Sequence, residues 1–194
     1  MSANESGSTE RVAPLPIHAA REAATHVGLP DYLAEINVFR VLLHRPALAK
    51  ALYHALDPVL LHGTIDARLR ELVIMRVGWV TGSYYEWGQH WHLGPMFGAP
   101  SEDLAAVRDW EHDDRFGPVE RAVLAATDVT LAGEAITDDL WAELGEALPQ
   151  EVQRVELVVL IGTYQMLSGV LRSLRVPLDD GLAVWPPDGL APDA

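Results

Sequence analysis

Arg70-Glu71-Leu-Val-Ile-Met-Arg-Val-Gly78-Trp79-Val-Thr-Gly82-Ser83-Tyr-Tyr85-Glu86-Trp87-Gly-Gln-His90-Trp91-His92 is the stretch that decides how this chain is read. Its first half is apolar on almost every side of a helix, which points to burial on all faces rather than to a surface helix. Thr81-Gly82 interrupts the helical pattern, and a second helix is expected from Ser83 to about Leu93, ahead of Gly94-Pro95. At 100° per residue, Ser83, Glu86 and His90 fall within an arc of roughly 60°, with Tyr84, Trp87 and Trp91 on the next ~100°. An antiparallel or crossed return after Gly82 brings Glu71 back beside His90.

Working outward, nearly every other apolar segment also has helical spacing, and strand alternation is missing. Helices are expected over about 18–27, 31–44, 46–62 with a bend at Pro58, and 66–80. Further ones are expected from Ser101, over 118–131, 138–148, and from Pro149 towards Arg175. The class is all-α. Residues 1–16 are polar, end in Ala13-Pro14-Leu15-Pro16, and read as a disordered arm. Residues 17–184 read as a single helical domain, with a site-bearing half at about 31–98 and a second half at about 117–177. Residues 185–194 read as a Pro-rich tail that cannot extend a helix. Arg70-Glu-Leu-Val-Ile-Met75 and Val155-Glu-Leu-Val-Val-Leu160 begin alike, which suggests two pseudo-repeated helical units, each with a wholly buried helix.

The chain has 194 residues and a formal charge of −14, from 14 basic and 28 acidic side chains. A binder of phosphate backbones needs a basic stripe, so nucleic acid is excluded as a main partner, and an anionic membrane surface is disfavoured likewise. There is no cysteine. Thiolate metal sites, iron–sulfur clusters, disulfides and dithiol redox cycles are therefore ruled out. The N-terminal stretch has neither the basic nor the apolar region of a signal peptide, and the apolar runs are shorter than a ~20-residue span. The expected location is the cytoplasm.

A histidine flanked by two carboxylates at the edge of an apolar wall can take and return protons near neutral pH. Burial favours the neutral carboxylic acid, and a neighbouring carboxylate favours the imidazolium. On this reading His90 is the proton donor and Glu71 and Glu86 orient and tune it. Ser83 or Tyr85 would then hydrogen-bond a developing oxyanion. Trp79, Trp87, Trp91 and Phe97 form the apolar wall, so Tyr85 and the three tryptophans are the expected substrate-binding residues. Ser83-x-x-Glu86 is equally a capping box that satisfies the first N–H groups of a helix, and both readings stand. A metal held by Glu71, Glu86 and His90 is the weaker alternative, because His90 and His92 lie about 200° apart and cannot share an ion. No metal and no cofactor are expected.

At these residues the chain resembles the carboxymuconolactone decarboxylase / alkylhydroperoxidase D-like superfamily. The family signature is a glutamate, eleven residues, a Cys-x-x-Cys and a histidine four residues beyond the second cysteine. Glu71 and His90 stand at the glutamate and histidine, while Ser83 and Glu86 stand at the two cysteine positions. The resemblance is strong over about Asn37–Gly98 and looser over Pro118–Pro177. It implies an alkylhydroperoxidase D-like orthogonal helical bundle, assembled into trimers or hexamers with the site near a subunit interface. Serine and glutamate cannot perform thiol–disulfide exchange, so the resemblance points away from peroxidase chemistry. It points instead to a cofactor-independent acid–base enzyme, most simply a lyase of the decarboxylase type, with an isomerase or cyclase as the alternative, acting on a small carboxylated or lactone-type molecule. The competing expectation is a non-catalytic ligand-binding or assembly protein on the same scaffold.

Overall fold

The computed structural model describes residues 10–192. Nine α-helices follow one another in it: α1 Ile17–Val27, α2 Asn37–Leu42, α3 Pro46–Leu60, α4 Ala67–Thr81, α5 Tyr84–Leu93, α6 Ser101–Ala106, α7 Pro118–Leu131, α8 Asp138–Ala147 and α9 Glu151–Leu174. Short 3-10 turns at Asp31–Glu35, Gly94–Phe97 and Val107–Asp109 join some of them. The result is an all-α orthogonal bundle centred on α4, which packs against α5, α7 and α9. Leu72, Val73, Ile74, Met75 and Val77 of α4 are wholly inaccessible to solvent, as a helix apolar on every side requires.

The α4–α5 corner follows from two glycines. Asp66 opens α4 by accepting from the Leu69 N–H (3.1 Å). Gly82 closes it in the left-handed region (φ 69°), where a side chain would be strained, and the Ser83 N–H reaches back to the Gly78 carbonyl (2.9 Å). A Cβ on Gly78 would lie 3.3 Å from the Trp87 backbone nitrogen, so its absence lets α5 fold tightly across α4.

Four expectations are corrected. The helix drawn over 31–44 is broken at Ile36, whose extended backbone (φ −98°, ψ 124°) separates a 3-10 turn from α2. Residues 10–16 are held rather than loose: the Arg11 N–H donates to the Leu174 carbonyl (3.1 Å), and Leu15 exchanges hydrogen bonds with Arg40. The rest of the expected arm, residues 1–9, lies outside the described residues. The tail is also docked, because Trp185 is buried against Trp79 and Trp87, and Asp188 pairs with Arg108 (2.8 Å). Finally, α9 is not enclosed like α4. One face carries Leu157, Leu160, Ile161, Tyr164 and Leu171 into the core, while Val152, Val155, Val159 and Met166 are exposed on the other.

The sequence echo between α4 and α9 does not extend to environment. Glu71 is wholly buried, whereas Glu156 caps the approach to α4 by accepting from the Thr64 and Ile65 N–H groups. At 24 residues, α9 is also the one described helix long and apolar enough to cross a membrane, a test that core helices of soluble proteins pass as well.

Candidate active site

Folding α5 across α4 places His90 against Glu71. The Nδ1 of His90 lies 2.7 Å from Glu71 Oε2, and the Arg70 guanidinium donates to the other carboxylate oxygen at 2.9 and 3.1 Å. Arg70 also stacks over the Phe97 ring (4.8 Å), which assigns Phe97 to holding this cation. All three ionisable groups are buried: Glu71 is 0%, His90 6% and Arg70 7% exposed. Burial alone raises the Glu71 pKa, but His90 and Arg70 outweigh it and hold the carboxyl below its ordinary range. The His90 ring thus turns Nδ1 to the Glu71 carboxylate and Nε2 away from it. The Tyr164 hydroxyl lies 3.3 Å from Nε2.

One turn earlier on α5, Glu86 has the opposite surroundings. No cation faces it. Burial drives its pKa up to about 8, against the opposing pull of the Ser168 and Ser83 hydroxyls. At neutral pH the side chain is therefore a carboxylic acid. Ser168 donates to Oε2, while Oε1 is buried and makes no well-formed hydrogen bond.

Glu86, His90 and Tyr164 line a cavity of about 120 Å³. Val38, Phe39 and Leu42 of α2 wall it together with Leu52, Leu56 and Leu60 of α3. Leu167 and Leu171 of α9 line it as well. Tyr85 and Gln89 also line it, but their polar ends are committed elsewhere. The Tyr85 hydroxyl donates to Asp179 (2.9 Å) and accepts from the Val38 N–H (3.1 Å), and Gln89 donates to the same carboxylate.

The structure thus joins Glu71 to His90 and puts His90 and Glu86 on one cavity, as the helix spacing implies. It does not place Ser83 there. Ser83 begins α5 with no side-chain capping bond, so the capping box is not formed; its buried hydroxyl lies by the Glu86 carboxyl and is not part of the cavity lining. The three tryptophans are also moved. Trp79, Trp87 and Trp91 do not line the cavity but pack with one another and with Trp185. The Trp87 indole donates to the Pro186 carbonyl (2.7 Å), and Arg108 stacks over Trp79 and Trp87. The helical wheel relates these residues to one another, but the cavity opens on the Tyr85–Gln89–Leu93 side of α5, away from the tryptophans.

Sequence reasoning missed Tyr164 and Ser168. They are the polar members of the buried α9 stripe, spaced i,i+4, and that interruption of an apolar face was the available signal. They also carry the site beyond the half assigned to it at 31–98. As for the metal alternative, both ring nitrogens of His90 are already engaged. Among the described residues no group of three or more metal-ligating side chains is gathered.

Residues 46–129 match the carboxymuconolactone decarboxylase family. No curated protein matches the chain. Among solved structures, a cysteine-to-alanine form of the debrominase Bmp8, crystallised with 2,3,4-tribromopyrrole, aligns with a TM-score of 0.68 at 16% identity, covering 87% of this chain and 91% of that one. A peroxidase-related protein from Ralstonia eutropha JMP134, described as an alkylhydroperoxidase AhpD core, aligns with a TM-score of 0.68 at 17% identity over 86% of this chain and 87% of its own. Another peroxidase-related protein, from Silicibacter sp. TM1040, has the same score at 13% identity over 91% and 95%. At such identities the structures establish the shared orthogonal helical bundle. The match over residues 46–129 and the shared bundle make this chain similar to carboxymuconolactone decarboxylase and alkylhydroperoxidase D-like proteins, and its sequence contains no cysteine.

Proposed function

We propose that this protein is a cofactor-independent acid–base enzyme of the cytoplasm, a lyase or isomerase that moves protons to and from carbon in a small molecule, and that it works as a homo-oligomer. The observation that carries this reading is an imidazole backed by a carboxylate and a carboxyl raised by burial, both on one cavity. His90, oriented by ionised Glu71, presents Nε2 beside the Tyr164 hydroxyl, and Glu86 presents a neutral carboxyl. Pairs of titratable groups whose environments push their pKa values apart are the usual way to run both halves of such chemistry at one pH.

The cycle needs only these groups. His90 takes a proton from carbon, directly or through Tyr164, while Glu86 donates its proton to the carbonyl oxygen on which charge develops. The step closes when His90 delivers its proton to a different carbon and the Glu86 carboxylate takes its proton back from the oxygen, which completes an isomerisation. Decarboxylation would use the same shuttle but must also bring a carboxylate into the cavity. No Lys or Arg is among the described residues that line it, which supports isomerisation. Without cysteine there is no thiolate for peroxide reduction with a dithiol donor.

The test is a panel of cyclic ketones, lactones and β-keto acids incubated with the protein in D₂O, with deuterium uptake and carbon dioxide release followed by mass spectrometry. Uptake above a heat-treated control is expected, abolished by His90→Ala and reduced on the order of 10²–10⁴ by Glu86→Gln. Full activity in both variants would defeat the reading.

A further inference from the structure

The cavity's lining also constrains what it admits, on the reading that this is the substrate site. Its polar groups can be accounted for one by one. The Tyr85 hydroxyl and the Gln89 amide are spent on Asp179, and both nitrogens of His90 are engaged. Arg70 is committed to Glu71 and Phe97, and Arg40 to Asn37 and the Leu15 carbonyl. What remains is the Glu86 carboxyl, on a residue only 2% exposed: Ser168 meets Oε2, the Ser83 hydroxyl lies nearby, and Oε1 makes no well-formed hydrogen bond. An unmet polar atom at that depth costs free energy until something pairs with it. Around it are aliphatic and aromatic side chains from α2, α3 and α9. The volume, about 120 Å³, is on the scale of apolar cavities of ~150 Å³ that hold a benzene ring.

We infer that this cavity takes an uncharged, single-ring, largely apolar molecule with one carbonyl-type acceptor, seated on the Glu86 carboxyl beside His90, and that it refuses carboxylates. The charges explain the refusal. A carboxylate entering here would lose its hydration without meeting a free cation, in a site that already holds ionised Glu71. An acceptor needs only the proton that Glu86 retains. Because that proton is lost as pH rises past about 8, binding of a neutral acceptor should weaken on the alkaline side.

Three probes share one ring and differ in charge: cyclohexanone, cyclohexanecarboxylate and cyclohexylamine. Each is titrated against the full chain by ligand-observed NMR at pH 6.5 and pH 9.5. The ketone should bind at pH 6.5 at least about tenfold more tightly than the carboxylate, a difference of ~1.4 kcal/mol or more, and should weaken at pH 9.5. Glu86→Gln, which keeps an N–H donor, should bind the ketone equally at both pH values. Leu56→Trp, which fills the cavity, should abolish binding in protein whose circular dichroism is unchanged. If that variant does not fold, the wild-type pH dependence decides the question. Carboxylate or amine binding as tight as the ketone, or ketone binding indifferent to pH, would overturn the inference. Selective ketone binding with no deuterium uptake from any panel member would instead defeat the acid–base reading and leave this one intact. Turnover of carboxylates would do the reverse.

Discussion

Glu71 and Glu86 are both buried, yet one is ionised and the other neutral, because their neighbours differ. Glu71 meets Arg70 and His90, whereas Glu86 meets hydroxyls. The two therefore bend the pH–stability curve in opposite senses. Folded Glu86 keeps its proton up to about pH 8, while the unfolded residue releases it near 4.5. Its contribution is full below pH 4.5 and is lost as pH rises towards 8. Glu71, with its folded pKa lowered, contributes above its ordinary 4.5 and loses that contribution as pH falls below it. Stability should thus decline from mildly acidic pH towards pH 8. Glu86→Gln removes the first effect, so its melting temperature should gain on the wild type steadily between pH 5 and pH 8. A gap independent of pH in thermal denaturation would contradict the assigned charge state. Glu71→Ala leaves Arg70 buried without its carboxylate and should cost on the order of 3–5 kcal/mol in denaturant titrations.

Between elements, the C-terminal segment after α9, residues 175–190, straps α5 in place. Tyr84 donates to the Val176 carbonyl (2.7 Å), and a Cβ on Gly88 would lie 3.0 Å from Leu178 and 3.1 Å from the Ala183 carbonyl. Trp185 then closes over Trp79 and Trp87, with ring centroids 5.8 and 5.9 Å away. Trp185→Ala should destabilise by about 3–5 kcal/mol, the usual range for a buried tryptophan. It should also shift the emission of the remaining tryptophans to the red. Unchanged fluorescence and melting would show that the strap is not holding the helix. This device was not legible in the sequence, where Trp185-Pro-Pro-Asp-Gly reads only as a segment unable to continue a helix. Its docking depends on a groove lined by residues about a hundred positions earlier.

For the whole molecule, the unpartnered surface is the outer face of α9. Val152, Val155, Val159 and Met166 recur there at alternating spacings of three, four and seven. They are 51%, 61%, 48% and 50% exposed, and Gly162 and Gly169 on the same face have open space beyond their Cα atoms. A second copy of the chain laid against this stripe would bury it by helix-to-helix packing, with the glycines allowing close approach. Light scattering at micromolar concentration should therefore give a multiple of the 21.3 kDa chain mass, with a trimer or hexamer expected. The double substitution Val155→Glu, Val159→Glu should return it to one chain per particle. A wild-type mass of about 21 kDa would refute the assembly.

Local chemistry, set by neighbours in the chain, is what the sequence by itself determined. Helical periodicity, the Asp66 cap and the Gly82 break define α4 and α5, and the 19-residue interval between Glu71 and His90 closes once that corner turns. The wheel likewise put Glu86 and His90 on one side of α5. Tertiary structure alone decided which side of α5 faces a cavity and which meets the other tryptophans, since a wheel carries no outside reference direction. Tyr164 and Ser168 entered the site from 74 and 82 residues away, where no local pattern ties them to α5. The charge state of Glu86 was decided in the same way: a carboxyl's pKa follows from how deeply it is buried and what surrounds it, and both are properties of the packed molecule.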